Sequence, residues 1–517
     1  MKKNILKKLG TLSSFCLWGM SLVAQGFSPA AMELLKQQKL WFHSRNAAGA
    51  VFDDTRNYSN VQMGYRLESG NFHRPQEGQQ YKSLNVSSEG FLNLKNAYVW
   101  GKFAFEQANT YDAGYNASIA DPFRGMPYYV ADSYLSNWRN QHYNLKFRAS
   151  TPLYRDKFAL GLEGRYVATI AAKQRDPRVD TRYYKLELVP GITYVIYPEH
   201  RLGVNFEYAS IKEDSRMGQA DAYTDQDYYE LYGLGVAVKG IGSGRTTNYY
   251  GDQIGAGLQY NYSSRKVNLL FEGNYAMKVE NVDISFENPK KDASVREQIV
   301  KTALSLHKTG NRFSHFIKVR YFYSQVDGIQ YISLRDNSES QRGWIDLYHN
   351  IRSTYQRQTA SVSYSFIKNK GNEYVWKVDA DILYKKHADE YLLPSSTKES
   401  ENLFFGLSGK LNLSIGDKLN RRLLISAKTG YNKNLSGHYQ YGGEHADYLT
   451  VTMLEVDDEN YLTSDYYKTG LAVTYSQQYS EGKRSNFFAK LSFDYVKTSD
   501  YDFKHRNHAL LSVGVIF

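Results

Sequence analysis

Lys318 and Arg320 stand two residues apart in the run His315-Phe316-Ile317-Lys318-Val319-Arg320-Tyr321. In a strand, residues two apart point the same way, so both cations share a face opposite Ile317, Val319 and Tyr321. The same alternation puts Lys146, Arg148, Arg165, Lys377, Lys410, Lys428 and Lys490 on the polar faces of other runs. The acids Glu163, Glu272, Asp379, Asp381 and Asp494 occupy equivalent places. Charges arranged this way have two uses. Lining a water-filled channel, a modest excess of cations favours anionic solutes. Facing one another on neighbouring strands, they neutralise a polar interior.

Other constellations are weaker. A hydrolase built on strands needs Ser, His and an orienting Asn or acid brought together. His307 and His315 fall on neighbouring predicted strands, but His315 belongs to the apolar face and no nucleophile motif accompanies it. The chain is therefore not expected to be an enzyme. His438, Glu444, His445 and Asp447 share a polar segment, and Asp457, Asp458 and Glu459 follow. Their spacing matches no metal-ligand set, so a solvated loop without metal is expected. Gly240 to Gly244 precedes Arg245 and lacks the Gly-Lys-Ser/Thr ending of a phosphate loop, so no cofactor is expected. Tyr128, Tyr129 and Trp138 group in one predicted outer loop, Tyr439 and Tyr441 in another. Such rings either bind sugars or protein partners, or pack the loops over a barrel mouth.

The elements carrying these residues are strands. The chain has 46 Tyr, 25 Phe and 39 Gly but only 10 Pro, with a mean hydropathy of −0.57. High aromatic content with low hydropathy suits amphipathic strands. From Thr359 to Phe366 apolar and small polar residues alternate strictly, and the pattern recurs at Gln253–Tyr262, Val267–Ala276, Tyr374–Tyr384, Leu423–Tyr431 and Phe487–Tyr495. Apolar faces begin or end on Tyr, Phe or Trp, as in the aromatic girdles of membrane barrels. Short connections are predicted near 150–157, 197–200, 263–265, 308–312, 368–373, 416–421 and 479–485. Long polar ones fall near 107–139, 169–182, 211–249, 279–297, 325–356, 386–400, 433–465 and 497–505. Short periplasmic turns and long external loops give this rhythm. The predicted fold is all-β, a transmembrane antiparallel β-barrel of about eighteen strands. The count is sixteen if the pair at 57–69 and 80–90 stays out. Residues 228–238 are expected to extend an external hairpin, and Pro190-Gly191 to mark a bulge.

The ends of the chain agree. Lys2, Lys3, Lys7 and Lys8 precede an apolar stretch ending at Val23-Ala24-Gln25, which reads as a signal peptide over 1–24. Its loss takes the formal charge from +11 to +7, and the lone Cys16 lies inside it, behind Phe15, a poor fit to a lipid anchor. Residues 25–56 are expected to form a periplasmic segment, with Ser28 capping a helix from Pro29 to about Gln38. The barrel would take 57–517. Leu511, Val513, Val515 and Phe517 share one face of the last strand. Phe517 there resembles the assembly signal read by the barrel-assembly machinery.

Asn46-Ala47-Ala48-Gly49 followed by Asp53 resembles the opening of a family of large, plugless outer-membrane barrels of unknown function from Gram-negative anaerobes. The resemblance implies a barrel over nearly the whole mature chain and a neighbouring TonB-dependent transporter system. The expected partners are thus outer-membrane lipid, the barrel-assembly machinery and that system. Nucleic acid is not among them, because the basic residues are spread rather than clustered. The expected function is porin-like passive or accessory transport of small solutes. The alternative is a non-conducting barrel serving as scaffold or membrane partner of a transporter or secretion complex, which a loop folded into the lumen would favour.

Overall fold

The computed structural model describes residues 27–53, 56–221, 223, 226–242, 244–285, 289–336, 343–416, 418–479 and 485–517. The signal at 1–24 and Cys16 lie outside them. Eighteen antiparallel strands form one sheet that closes on itself. The first strand, Tyr58–Ser69, pairs with the last, His505–Ile516, from Asn60↔Ile516 to Ser69↔Asn507. The pair Tyr58–Ser69 and Gln80–Leu94 is therefore part of the wall.

Alternation fixes which way each side chain points. Phe206, Leu258, Leu491 and Leu511 face outward and are more than half exposed, whereas Asn205, Gln259 and Asn261 face inward and are buried. This is the inverse of a soluble protein, which does not leave a continuous apolar belt in water.

Several strands run far beyond the nine to eleven residues that cross a bilayer. Phe313–Asp336 has 24 residues and Gly343–Lys370 has 28. Much of what the sequence suggests as loop at 169–182, 279–297, 325–356 and 386–400 is continued strand. Ladder hydrogen bonds persist wherever two chains stay extended, and polar residues on both faces suit water on both sides.

Two local expectations change. No bulge forms at Pro190-Gly191. Leu188↔Tyr208 and Gly191↔Asn205 keep one register, and Val189 and Pro190 simply drop out of the ladder on that side. The segments Asp227–Gly233 and Val236–Ile241 do not lengthen a wall hairpin. They pair with each other and with Tyr129–Asp132 in a separate three-stranded sheet.

Candidate functional site: a lumen closed by the chain itself

Residues 27–53 do not hang free of the barrel. They cross its lumen near the end that carries the short turns. The helix α1 (Pro29–Gln38) is capped by Ser28, whose Oγ accepts from Ala31 N at 3.2 Å and donates to Glu373 Oε1 at 2.6 Å. Ala30 and Leu34 pack against Phe316, Ile367 and Tyr374 of one wall. Ala31, Met32 and Leu35 pack against Tyr58, Phe91, Trp100 and Ile516 of another. Glu33 accepts from Lys377 Nζ at 3.0 Å, Lys410 Nζ at 2.7 Å and Tyr374 OH at 2.9 Å. Burial raises the Glu33 pKa, but Lys410 and Lys377 outweigh it and hold it down at about 2. A depressed carboxylate pKa stabilises above the free value near 4.5 and is lost only as pH falls through about 2. This anchor therefore survives ordinary acidity.

The chain then reaches the opposite wall. Arg45 forms ion pairs with Glu207 at 2.7 Å, Glu163 at 3.3 Å and Glu187, three acids on successive strands. Its backbone N–H donates to Glu272 Oε1 at 2.7 Å. Glu163 is also held by Lys146 at 2.8 Å and Arg148 at 3.0 Å. Arg148 donates to Phe42 O at 2.6 Å and Ser44 O at 2.9 Å. Asn46 Nδ2 lies 3.0 Å from Ile192 O, 3.1 Å from Val204 O and 2.9 Å from Gln259 Oε1.

Asn46, Ala47 and Ala48 are fully buried because the wall opposite them lacks side chains. A Cβ at Gly161 would collide with Ala48, and one at Gly191 or Gly203 with Asn46. The glycine after Pro190 thus makes room for the strap. Gly161→Val should unseat it. The expected result is tryptic cleavage after Lys39 and Arg45 at least about tenfold faster than in the intact protein, with the barrel still folded.

The other end is closed by loops. Arg124 enters the lumen and pairs with Glu280 at 2.6 Å and Glu213 at 3.1 Å. Ile119, Met126 and Tyr128 are buried against Tyr249, Val282, Val295 and Val326. The tip Gly233-Leu234-Gly235 is held by two wall strands: Tyr439 OH donates to Leu234 O at 3.0 Å, and Ser353 Oγ donates to Tyr232 O at 2.7 Å. A second helix, α2 (Val456–Leu462), places Asp458 between Arg74 and Lys398, with Lys398 Nζ at 2.5 Å. Lys398 also pairs with Glu455 at 2.8 Å. The run Asp457-Asp458-Glu459 is therefore not a solvated loop: Asp458 and Glu459 are buried in the cap.

The charges picked out by alternation divide among four roles. Lys146, Arg148, Glu163 and Glu272 seat the strap. Lys377 and Lys410 hold α1, and Asp379 lies 3.2 Å from Lys377, with Asp381 next on the same face. Lys428 pairs with Asp494 at 2.8 Å beside Lys490. Arg165 lines a chamber of about 280 Å³ with Lys185 and Arg124. Lys318 and Arg320 line one of about 530 Å³ behind α1. They do not line one open pore. Glu33, Arg45 and Asn46, which organise the site, carry no motif that singles them out as wall ligands.

The aromatic residues pack the cap. Tyr128 and Trp138 are buried and offer no surface to a partner, and Trp138 and Tyr439 lie on wall strands Ser136–Ser150 and Arg421–Gln440. Tyr129 OH accepts from Gln76 at 3.0 Å, and Tyr441 is half-buried beside Gly443. His307 faces inward and stacks on Phe316 at 4.0 Å, whereas His315 faces outward and contacts Tyr364 OH at 2.8 Å. On opposite faces the two cannot share a site. Phe517 closes the barrel through paired backbone bonds with Ser59 at 2.8 and 3.3 Å.

Residues 47–517 match a family model described as a family of unknown function, DUF6850. The chain belongs to that family. The match begins inside the strap and covers the whole wall. In this DUF6850 protein the strap lies inside the lumen. No curated protein matches. Among solved structures, it is similar to BauA, the ferric preacinetobactin receptor of Acinetobacter baumannii, at 9% identity and TM-score 0.43, covering 90% of this chain and 80% of that one. A FadL homologue of Pseudomonas aeruginosa matches at 10% and 0.33, covering 91% and 92%. The outer membrane transporter YddB of Escherichia coli matches at 10% and 0.39, covering 89% and 81%.

Proposed function

We propose that this DUF6850 protein is an outer-membrane barrel that passes small solutes through a lumen held closed at rest by its own chain. The observation that carries the reading is the strap, anchored to opposite walls by Glu33 and Arg45. The apolar belt and the short-turn end supply the membrane setting. The two closures are held by separate ion-pair clusters and small apolar clusters rather than by one core running through the barrel, which suits segments that must move. A transporter-system partner on the short-turn side would meet the strap first. Proteoliposomes test this with a trapped small dye. The intact protein should retain it, and the double variant Arg45→Ala/Asp458→Ala should release it.

The inward loops favour a second reading, a non-conducting scaffold. Retention of the dye by a folded double variant would decide for it.

A further inference from the structure

The cavity of about 530 Å³ between α1 and the wall is lined by two cations that form no direct ion pair with a described residue. The nearest carboxylate acting on Lys318 is Glu272, two strands away and already accepting from the Arg45 backbone. Five of the inward cations meet a carboxylate: Lys146 and Arg148 meet Glu163, Lys377 and Lys410 meet Glu33, and Lys428 meets Asp494. Lys318 and Arg320 form no ion pair or hydrogen bond with any described residue, although they share one inward face. Their cross-strand neighbours explain why. Lys318 stands opposite Ser363 on one side and Ser305 on the other. Arg320 stands opposite Ser361 and Ala303. No acid flanks either residue on the strands beside it.

The rest of the lining adds little negative charge. Glu33 is its one described acid, and that carboxylate is already taken by Lys377 and Lys410. Lys36 points in from α1, paired with Glu89 at 2.7 Å. Burial, helped by nearby Lys318, holds the His43 pKa down at about 4, so a neutral imidazole borders the space, its Nε2 donating to Lys36 O at 3.0 Å. The hydroxyls of Ser305 and Ser363 are ready donors. The volume suits a small molecule, and a guanidinium beside an ammonium suits an oxyanion.

We infer that this cavity is a binding site for a small oxyanionic solute, held through its carboxylate or phosphate by Lys318 and Arg320 and covered by α1. The site exists whether or not the barrel conducts, so its test does not depend on flux. Inorganic phosphate and succinate are titrated calorimetrically into the full-length mature protein in detergent. One of them should bind saturably, and phosphate without succinate, or the reverse, names the anionic group. Lys318→Ala/Arg320→Ala should weaken binding at least about tenfold. Ser363→Glu places a carboxylate opposite Lys318. It should abolish binding while leaving the barrel as heat-stable as before, or more so. Lys433→Ala, on an exposed pair outside the cavity, should bind as the intact protein does. Absence of saturable binding by both anions, or equal binding by the intact protein and both cavity variants, overturns the inference.

Discussion

In Arg45→Ala the strap should leave the wall. The substitution removes the cation shared by Glu163, Glu187 and Glu207, all of them buried. Breaking a buried ion pair from one side costs about 3–5 kcal/mol, because the remaining charges stay desolvated. Glu163 keeps Lys146 and Arg148, so the loss falls mainly on Glu187 and Glu207. A cysteine placed at Ser44, with Cys16 removed, reports the change. Its reaction with a maleimide should be about a hundredfold faster in the Arg45→Ala background. Arg45→Lys should fall between, since an ammonium keeps the charge but cannot fork across three acids. Equal labelling in all three would mean that the strap is held by something other than this cluster.

Asp458→Ala should open the opposite end by a similar amount. Lys398 is buried and Arg74 half-buried, and both lose their shared carboxylate. The expected cost is again about 3–5 kcal/mol, read as faster hydrogen exchange over α2. The cap also carries a pH response of the opposite sign to the α1 anchor. Burial pushes Glu459 up to about 7, and neither of its oxygens has a hydrogen-bond partner among the described residues. A carboxyl whose folded pKa is raised binds its proton more tightly in the docked state. Its support is therefore full below about 4.5 and is lost as pH rises through about 7. Protection over 456–462, with the intrinsic rise of exchange with pH divided out, should fall between pH 6 and pH 8, by an amount on the order of 2–3 kcal/mol at the high end. Glu459→Gln should flatten the profile at its protected level.

The barrel was legible because its signal is local and repeated. Phe366 and Ser365 announce their faces by sitting side by side, and the same two-residue period governs eighteen strands. The closures were illegible for the converse reason. Arg45 is an ordinary arginine in a short polar segment until Glu163, Glu187 and Glu207 arrive from strands more than a hundred residues away. Asp458 reads as solvated acid because Arg74 and Lys398 are 384 and 60 residues away. Lys318 and Arg320 were visible as inward cations. That no acid stands beside either of them on the adjacent strands depends on register between strands. One trace of the strap did exist in the sequence. Asn46-Ala47-Ala48-Gly49 is a run of small residues, and Pro190-Gly191 puts a glycine in the strand where that run docks. The two features looked unrelated, and only the fold brings them into contact.

Single-channel recording in a planar bilayer tests the central claim most directly. The claim is that strap and cap close one lumen in series. The intact protein should insert as a folded, heat-modifiable barrel and remain electrically silent. Arg45→Ala and Asp458→Ala alone should each give at most brief openings, and the double variant should give long, stable steps. Large stable steps from the intact protein would contradict the account, as would a folded double variant as silent as its parent.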